Sequence, residues 1–231
     1  MAVHSAAGVA AIPERIVLFG SEGGFSRPVL AQLLVHNVTV AAVVMPGMVM
    51  ARVGDGFPVR VEQQDERSGL AGLAAEMQVP VVRIRDCHER RLLDELAALD
   101  IDVLLVACFP WKLPRPVRQL PRLACWNLHP SLLPAYRGPA PLFWQLRNGE
   151  TNTGITLHEV AERLDAGNIV ARLAQPLPAT TNADDLDKWV AGAGVNLFIE
   201  ALARRRSGYL QTIPQDESAA SYYPDPGTLE C

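Results

Sequence analysis

Asn127 and His129 stand two residues apart in Trp126-Asn127-Leu128-His129-Pro130-Ser131-Leu132-Leu133-Pro134-Ala135-Tyr136-Arg137-Gly138, and both side chains can take part in a reaction. An amide offers N–H donors to a developing negative charge, and an imidazole can hold or release a proton near neutral pH. In an extended segment side chains repeat with a period of two, so the pair points to one side. The apolar Leu123-Ala124-Cys125-Trp126 just before it reads as a short buried strand. Pro130 biases His129 toward extended geometry and ends the ladder. A strand that closes on Asn-x-His and opens into a Pro-containing loop sets both groups at a sheet edge. In open parallel α/β sheets the carboxyl edge of the strands is where ligands bind. On these two residues alone, structural groups hydrogen-bonded at a strand end are as good a reading as reactive ones.

The elements around this stretch alternate. Ile16-Val17-Leu18-Phe19 is a continuous apolar run bounded by Gly20 and Ser21, as in a central parallel strand. Phe25 to His36 has helical spacing and Val38 to Met45 reads as a second buried strand. A helix is expected from Ser68 to Gln78, a strand over Val81 to Ile84, a helix over Glu89 to Leu99 and a strand over Asp102 to Cys108. Past the central stretch, Pro139 to Asn148 reads as a helix closed by Gly149, and Thr153 to Glu159 and Ile169 to Leu173 read as strands. Asp184 to Arg206 is a long helix whose final arginines complement its C-terminus, and the segment holding Tyr222, Tyr223, Pro224 and Pro226 reads as irregular. Strand–helix alternation of this kind implies an α/β fold, a doubly wound, mostly parallel sheet with helices on both faces.

Two loops invite a ligand. The first, Gly20-Ser21-Glu22-Gly23-Gly24-Phe25, follows a strand and opens a helix, as dinucleotide sites do, but lacks G-x-G-x-x-G spacing. Glu22 would also set a negative charge where a pyrophosphate belongs, so a tight glycine turn is the better reading. The second, Phe109-Pro110-Trp111-Lys112-Leu113-Pro114, lies at the edge expected for His129 and could wall a flat aromatic ligand. A bland apolar loop capping the core fits it equally well. Pro46 to Arg67, rich in Gly, Pro, Gln and charge, is long for a structureless connection.

Length and composition bound the rest. The 231 residues, 49% hydrophobic and 20% charged, suit one sizeable core. A net charge of −4 gives no general attraction to phosphate backbones, which argues against nucleic acid and anionic membranes as main partners. Cys87, Cys108, Cys125 and Cys231 show no C-x-x-C spacing and read as free thiols in a reducing cytoplasm. Residues 1–14 lack a basic region before an apolar run and read as a mobile leader, and no apolar run reaches the ~18–20 residues of a membrane span. No His/Cys/carboxylate set has metal-ligand spacing, so no metal is expected.

Asn127-Leu128-His129-Pro130-Ser131-Leu132-Leu133-Pro134, then Tyr136-Arg137-Gly138, Thr153-Gly154-Ile155-Thr156-Leu157-His158 and Leu164-Asp165-Ala166-Gly167 together resemble the formyltransferase superfamily. The family's pattern is N-x-H followed by an Asp about three dozen residues on, and Asp165 lies 36 residues beyond His129. The resemblance is strong from about Leu120 to Pro176 and weaker over Arg15 to Leu120. It implies a Rossmann-like formyltransferase fold with a catalytic domain over 15–206, a C-terminal helix and a tail over 207–231. It implies 10-formyltetrahydrofolate as formyl donor, with Asn127, His129 and Asp165 as the catalytic set. It also implies a pterin pocket lined by Cys108, Phe109, Pro110, Trp111, Lys112 and Leu113, with Leu133, Ala166 and Gly167 in loops that help shape the site. His158 occupies a position that is His in some members, though a satisfied sheet histidine is the commoner case.

The chemistry agrees with that resemblance. Formyl transfer from nitrogen to an amine passes through a tetrahedral carbon bearing an oxyanion, which needs donors already in place. Asn127 could donate an amide N–H and His129, as imidazolium, a second. A carboxylate from Asp165 would raise the His129 pKa, keep the ring protonated and draw a proton from the amine. Arg137 could grip a substrate anion or staple its own loop, and the staple is preferred. Only 55 residues follow Pro176, fewer than the added β-domain of a methionyl-tRNA formyltransferase suggests, although Arg137-Gly138-Pro139-Ala140-Pro141 is nearer that branch than the purine enzyme's. The preferred acceptor is therefore a small or nucleotide-linked primary amine such as an amino sugar. A tRNA acceptor, a 10-formyltetrahydrofolate hydrolase and a non-catalytic folate-binding module are the alternatives, and a homodimer stays open.

Overall fold

Each apolar run becomes a strand of one seven-stranded sheet. The computed structural model describes residues 12–22, 24–47, 69–177 and 182–228, so most of the leader and of the Pro46–Arg67 segment lie outside the described residues. Strand β1 (Ile12–Gly20) pairs in parallel with β2 (Val38–Pro46) and with β4 (Val103–Ala107). Strand β3 (Val81–Ile84) extends the sheet beyond β2, and β5 (Ala124–His129) lies parallel to β4. Two antiparallel strands, β6 (Asn152–Glu159) and β7 (Ile169–Pro176), complete the order β3-β2-β1-β4-β5-β6-β7.

The helices cover both faces, as burial of a parallel sheet requires. On one face α1 (Ser26–Val35), α2 (Leu70–Glu76) and α6 (Ala183–Arg206) pack against Ile16, Leu18, Val43, Leu105, Trp126 and Leu128. On the other, α3 (Arg90–Ala98) and the one-turn α4 (Arg115–Arg118) cover Val17, Phe19, Val44, Leu104 and Val106. The alternation along β1 thus feeds two separate cores, and both are dry: Ile16, Val17, Leu18 and Phe19 are fully buried. Among the described residues, no helix is long and apolar enough to cross a membrane.

Several expectations needed correction. The sheet begins at Ile12, so the last residues of the expected leader belong to β1, where Glu14 accepts a 2.9 Å ion pair from Arg206. Arg206 and Arg205, which bonds the Leu123 carbonyl at 2.9 Å, therefore do more than complement the end of α6. Strand β5 closes on His129, as the Asn-x-His pattern implies, and starts at Ala124 rather than Leu123. The glycine turn after β1 needed no correction and is a tight packing turn: Glu22 accepts from the Leu70 N–H at 2.7 Å, and a Cβ at Gly20 would stand 2.8 Å from Leu70. The segment after α6 is not a free tail. It crosses back over the loops that follow β5 and β6, bridging Ile213 to Ile169 and Tyr222 to Arg137.

Candidate active site

Register in the sheet builds the first part of the site. Asn127 and His129 share one side of β5 while Leu128 between them enters the core. The antiparallel pairing of β6 sets His158 opposite Asn127 and Thr156 opposite His129. His158 Nδ1 lies 2.9 Å from the Glu159 carbonyl and therefore carries its hydrogen there. Its Nε2 is left as an acceptor for the Asn127 amide at 2.9 Å. His158, read from sequence as a satisfied sheet histidine, thus fixes which way the Asn127 amide faces.

Asp165 comes from the turn between β6 and β7. Its Oδ1 lies 3.3 Å from Asn127 Nδ2 and 3.6 Å from His158 Nε2, and its Oδ2 lies 3.7 Å from His129 Nδ1. The Gly138 N–H donates to Oδ2 at 2.9 Å. Asp165 itself sits at φ 52°, a left-handed conformation that aspartate adopts more readily than most residues with a Cβ. His129 turns its Nε2–H to the Tyr136 carbonyl at 2.8 Å, so its Nδ1 is the nitrogen left on the Asp165 side. The amide, the two imidazoles and the carboxylate therefore meet in one cluster.

Burial decides the charges. Removal from water pulls the His129 imidazole below its ordinary value; Asp165 opposes this, whereas His158 and Arg137 add to it. This corrects the expectation that Asp165 holds the ring protonated, because the carboxylate raises the pKa but burial outweighs it. Burial alone would raise the Asp165 carboxyl, but the attraction of His129 and His158 in their protonated forms, together with the Gly138 N–H, holds it well below the usual carboxylate range. The resting site is a neutral His129 beside an ionised Asp165.

A cleft of about 430 Å³ opens over this cluster, with Asn127, His129, His158 and Asp165 in its wall. All of Cys108, Phe109, Pro110, Trp111, Lys112 and Leu113 line it, and Phe109 is wedged edge-on between Phe19 and Trp111 at 5.1 and 5.5 Å. Facing them, α5 (Pro141–Arg147) contributes Phe143 and Leu146, both part-exposed. Leu133, Ala166 and Gly167 do not line the cleft. Leu133 is fully buried with its N–H on Thr156 Oγ1 at 3.1 Å, Ala166 closes a turn onto the Arg163 carbonyl, and a Cβ at Gly167 would run into the Glu159 carbonyl. Their part is to brace the walls.

Arg137 resolves in favour of the staple. Its guanidinium, only 5% exposed, bonds Gln215 at 2.8 and 3.1 Å and Glu217 at 2.9 and 3.2 Å. Gln215, the Gly138 N–H and the Tyr136 carbonyl were not found by sequence reasoning. Backbone groups carry no signature, and a single Gln in an irregular segment has no period to betray it.

The family described as "Formyl transferase" matches residues 15–202, a range that holds every residue of the cluster. The chain belongs to the formyl transferase family. It is 34% identical over 214 residues to a methionyl-tRNA formyltransferase from Halalkalibacterium halodurans, a match spanning 91% of this chain and 64% of that relative. The fold is similar to an N-formyltransferase from Helicobacter canadensis solved with folinic acid and dTDP-3-aminofucose, with TM-score 0.60, 20% identity, and 90% of this chain against 70% of that one. It is also similar to glycinamide ribonucleotide transformylase 1 from Symbiobacterium toebii, with TM-score 0.63, 20% identity, and coverage of 88% and 94%. Within this member of the family the cluster stands at the carboxyl end of β5, where an open α/β sheet binds its ligands.

Proposed function

We propose that this chain transfers a formyl group from 10-formyltetrahydrofolate to a primary amine. The observation that carries the reading is the meeting of Asn127, His129 and Asp165 at the wall of a largely apolar cleft. Phe109, Trp111 and Leu113 offer flat and apolar surface for a pterin, and the Helicobacter canadensis relative was solved with a folate in place.

The chemistry balances with the groups present. The amine lone pair attacks the formyl carbon, and the carbonyl oxygen takes up negative charge that an Asn127 N–H meets. Asn127 frees that hydrogen from its longer, 3.3 Å contact with Asp165 while His158 keeps the other. The amine proton passes to His129 Nδ1, directly or through a water, and Asp165 stabilises the imidazolium so formed. Collapse then breaks the bond to the folate nitrogen, which receives the proton from His129. Neutral His129 is the competent form for the first transfer, in keeping with the depression caused by burial.

The acceptor is proposed as a small or nucleotide-linked amine, because the charged residues lining the cleft are Lys112, Asp165 and Asp187, with little to gather a polyanion. A second reading, methionyl-tRNA, is favoured by the named function of the Halalkalibacterium halodurans relative. One experiment separates them: 10-formyltetrahydrofolate is offered with amino acids, nucleotide-linked amino sugars and methionyl-tRNA, while tetrahydrofolate release and the product's mass are followed. A formylated amine supports transfer, tetrahydrofolate and formate without an added amine indicate a hydrolase, and folate binding without turnover in any arm refutes the catalytic reading.

A further inference from the structure

We propose that Gln215 is a positioning residue, whose carboxamide sets the turn that carries Asp165 and thereby the carboxylate's place between the two imidazoles. Its Nε2 donates to the Asp165 carbonyl at 2.8 Å and to the Gly167 carbonyl at 2.7 Å. Its Oε1 accepts from Arg137 Nη2 at 2.8 Å and Nε at 3.1 Å. The position needs two donors toward carbonyls and an acceptor toward a guanidinium, and a carboxamide is the side-chain group that supplies both. A carboxylate would face two carbonyl oxygens with no hydrogen, and an apolar side chain would leave those carbonyls without this donor and Arg137 held by Glu217 alone.

Asp165 has a left-handed backbone at φ 52°, which an aspartate tolerates, and contacts from outside its own turn fix where the carboxylate then points. Beside the Asn127 amide on Oδ1 from β5, the Gln215 carboxamide bonds the Asp165 backbone and the Gly138 N–H bonds its carboxylate, and these last two trace to the returning C-terminal segment. Gly138 is placed by that segment because the Tyr223 N–H bonds the Arg137 carbonyl at 2.8 Å, and the Arg137 N–H bonds the Ser221 carbonyl at 2.9 Å. Glu217 then ties Arg137 to Arg163, which stands two residues before Asp165. Gln215 does not line the cleft, so its action on the reaction passes through Asp165.

The groups facing His129 are Asp165, His158, Arg137 and the Tyr136 carbonyl, and of the charged ones only Asp165 favours its protonated form. If Gln215 positions Asp165, its loss moves that carboxylate away and His129 titrates at lower pH. The test compares wild type with Q215M, which is neutral and of similar length, and with E217Q, which weakens the ion pairs of the Arg137 and Arg163 side chains but keeps the Gln215 bonds to the Asp165 and Gly167 carbonyls. The kinetic arm rests on the formyl-transfer reading; a nitrogen-15 NMR titration of His129 in the ligand-free protein does not.

Q215M is expected to lower kcat about 100-fold. The donor's KM should stay within about threefold. The His129 titration should move about half a unit or more to lower pH. E217Q should keep kcat within about threefold of wild type and an unmoved titration. An unmoved His129 titration in folded Q215M overturns the proposal, whatever its turnover, as does a matching shift in E217Q. Should Q215M not fold, Q215N, which keeps the carboxamide one methylene short of the two carbonyls, carries the same comparison. If wild type transfers no formyl group to any amine, the proposed activity falls while the titration still decides the positioning role.

Discussion

At the scale of residues, the cluster couples four side chains so closely that each substitution has a signed consequence. Asp165→Asn keeps a residue type that tolerates the left-handed conformation but removes the charge that stabilises imidazolium. It is expected to lower kcat by about 10²–10⁴-fold with the melting temperature little changed, read from steady-state rates and a thermal melt. The same substitution removes the one charged neighbour among the described residues that raises the His129 pKa. The acid limb of kcat/KM, which in wild type lies below the ordinary imidazole value of 6.5, therefore moves to still lower pH. Stability carries the same sign. A histidine whose folded pKa is depressed costs stability as pH falls below 6.5, and a carboxyl whose folded pKa is depressed loses its contribution as pH falls through 3.8 and below. Melting temperature should accordingly fall on acidification in two stages. Asn127, His129 and Asp165 were legible in the sequence because types and spacing coincide there. The protonation state of His129 was not, because burial is a property of the fold around it.

At the scale of elements, β5 carries the polar cluster on one side and core on the other. Trp126, 2% exposed, packs edge-on against Phe198 of α6 at 6.1 Å, immediately before Asn127. Trp126→Ala is expected to cost about 3–5 kcal/mol of unfolding free energy in a denaturant titration. Gly138 has φ 121° and lies against the Tyr223 carbonyl, so Gly138→Ala must displace either the loop or the returning segment. Loss of activity well beyond the loss of stability is the expected outcome, measured as kcat at a temperature where circular dichroism shows the variant folded. The strands and long helices were legible because β-branched runs and helical spacing are local signals, and β3 was read to the residue. The one-turn α4 and the path after α6 were not, since Arg115–Arg118 is too short to show a period and the returning segment is held by distant side chains.

At the scale of the whole molecule, the net charge of −4 makes salt a discriminating variable. With a small amine as acceptor, KM should change little between 50 and 200 mM salt, whereas an acceptor held through phosphates would lose affinity by about 10³-fold or more for several contacts. The wall of Cys108–Leu113 gives a second global readout. Burial pushes the Cys87 and Cys125 thiols up to about 12, while Cys108 is exposed at the cleft. Of these three, Cys108 should be alkylated first, and folate should protect it, as peptide mass mapping would show.

The ties between Arg137 and Gln215 span 78 residues of chain, and Trp144 reaches 80 residues to the Pro224 carbonyl. The β1–β4 pairing of the sheet closes a comparable loop, from Ile16 to Val103, but gains apolar burial, whereas these ties rest on a handful of polar contacts and are expected to form after the sheet has condensed. A chain recovering from denaturant should regain its helical signal first and its turnover later, through a compact but inert species. The same ordering leaves a nascent polypeptide idle until Tyr223 has left the ribosome, whatever helices it has already formed.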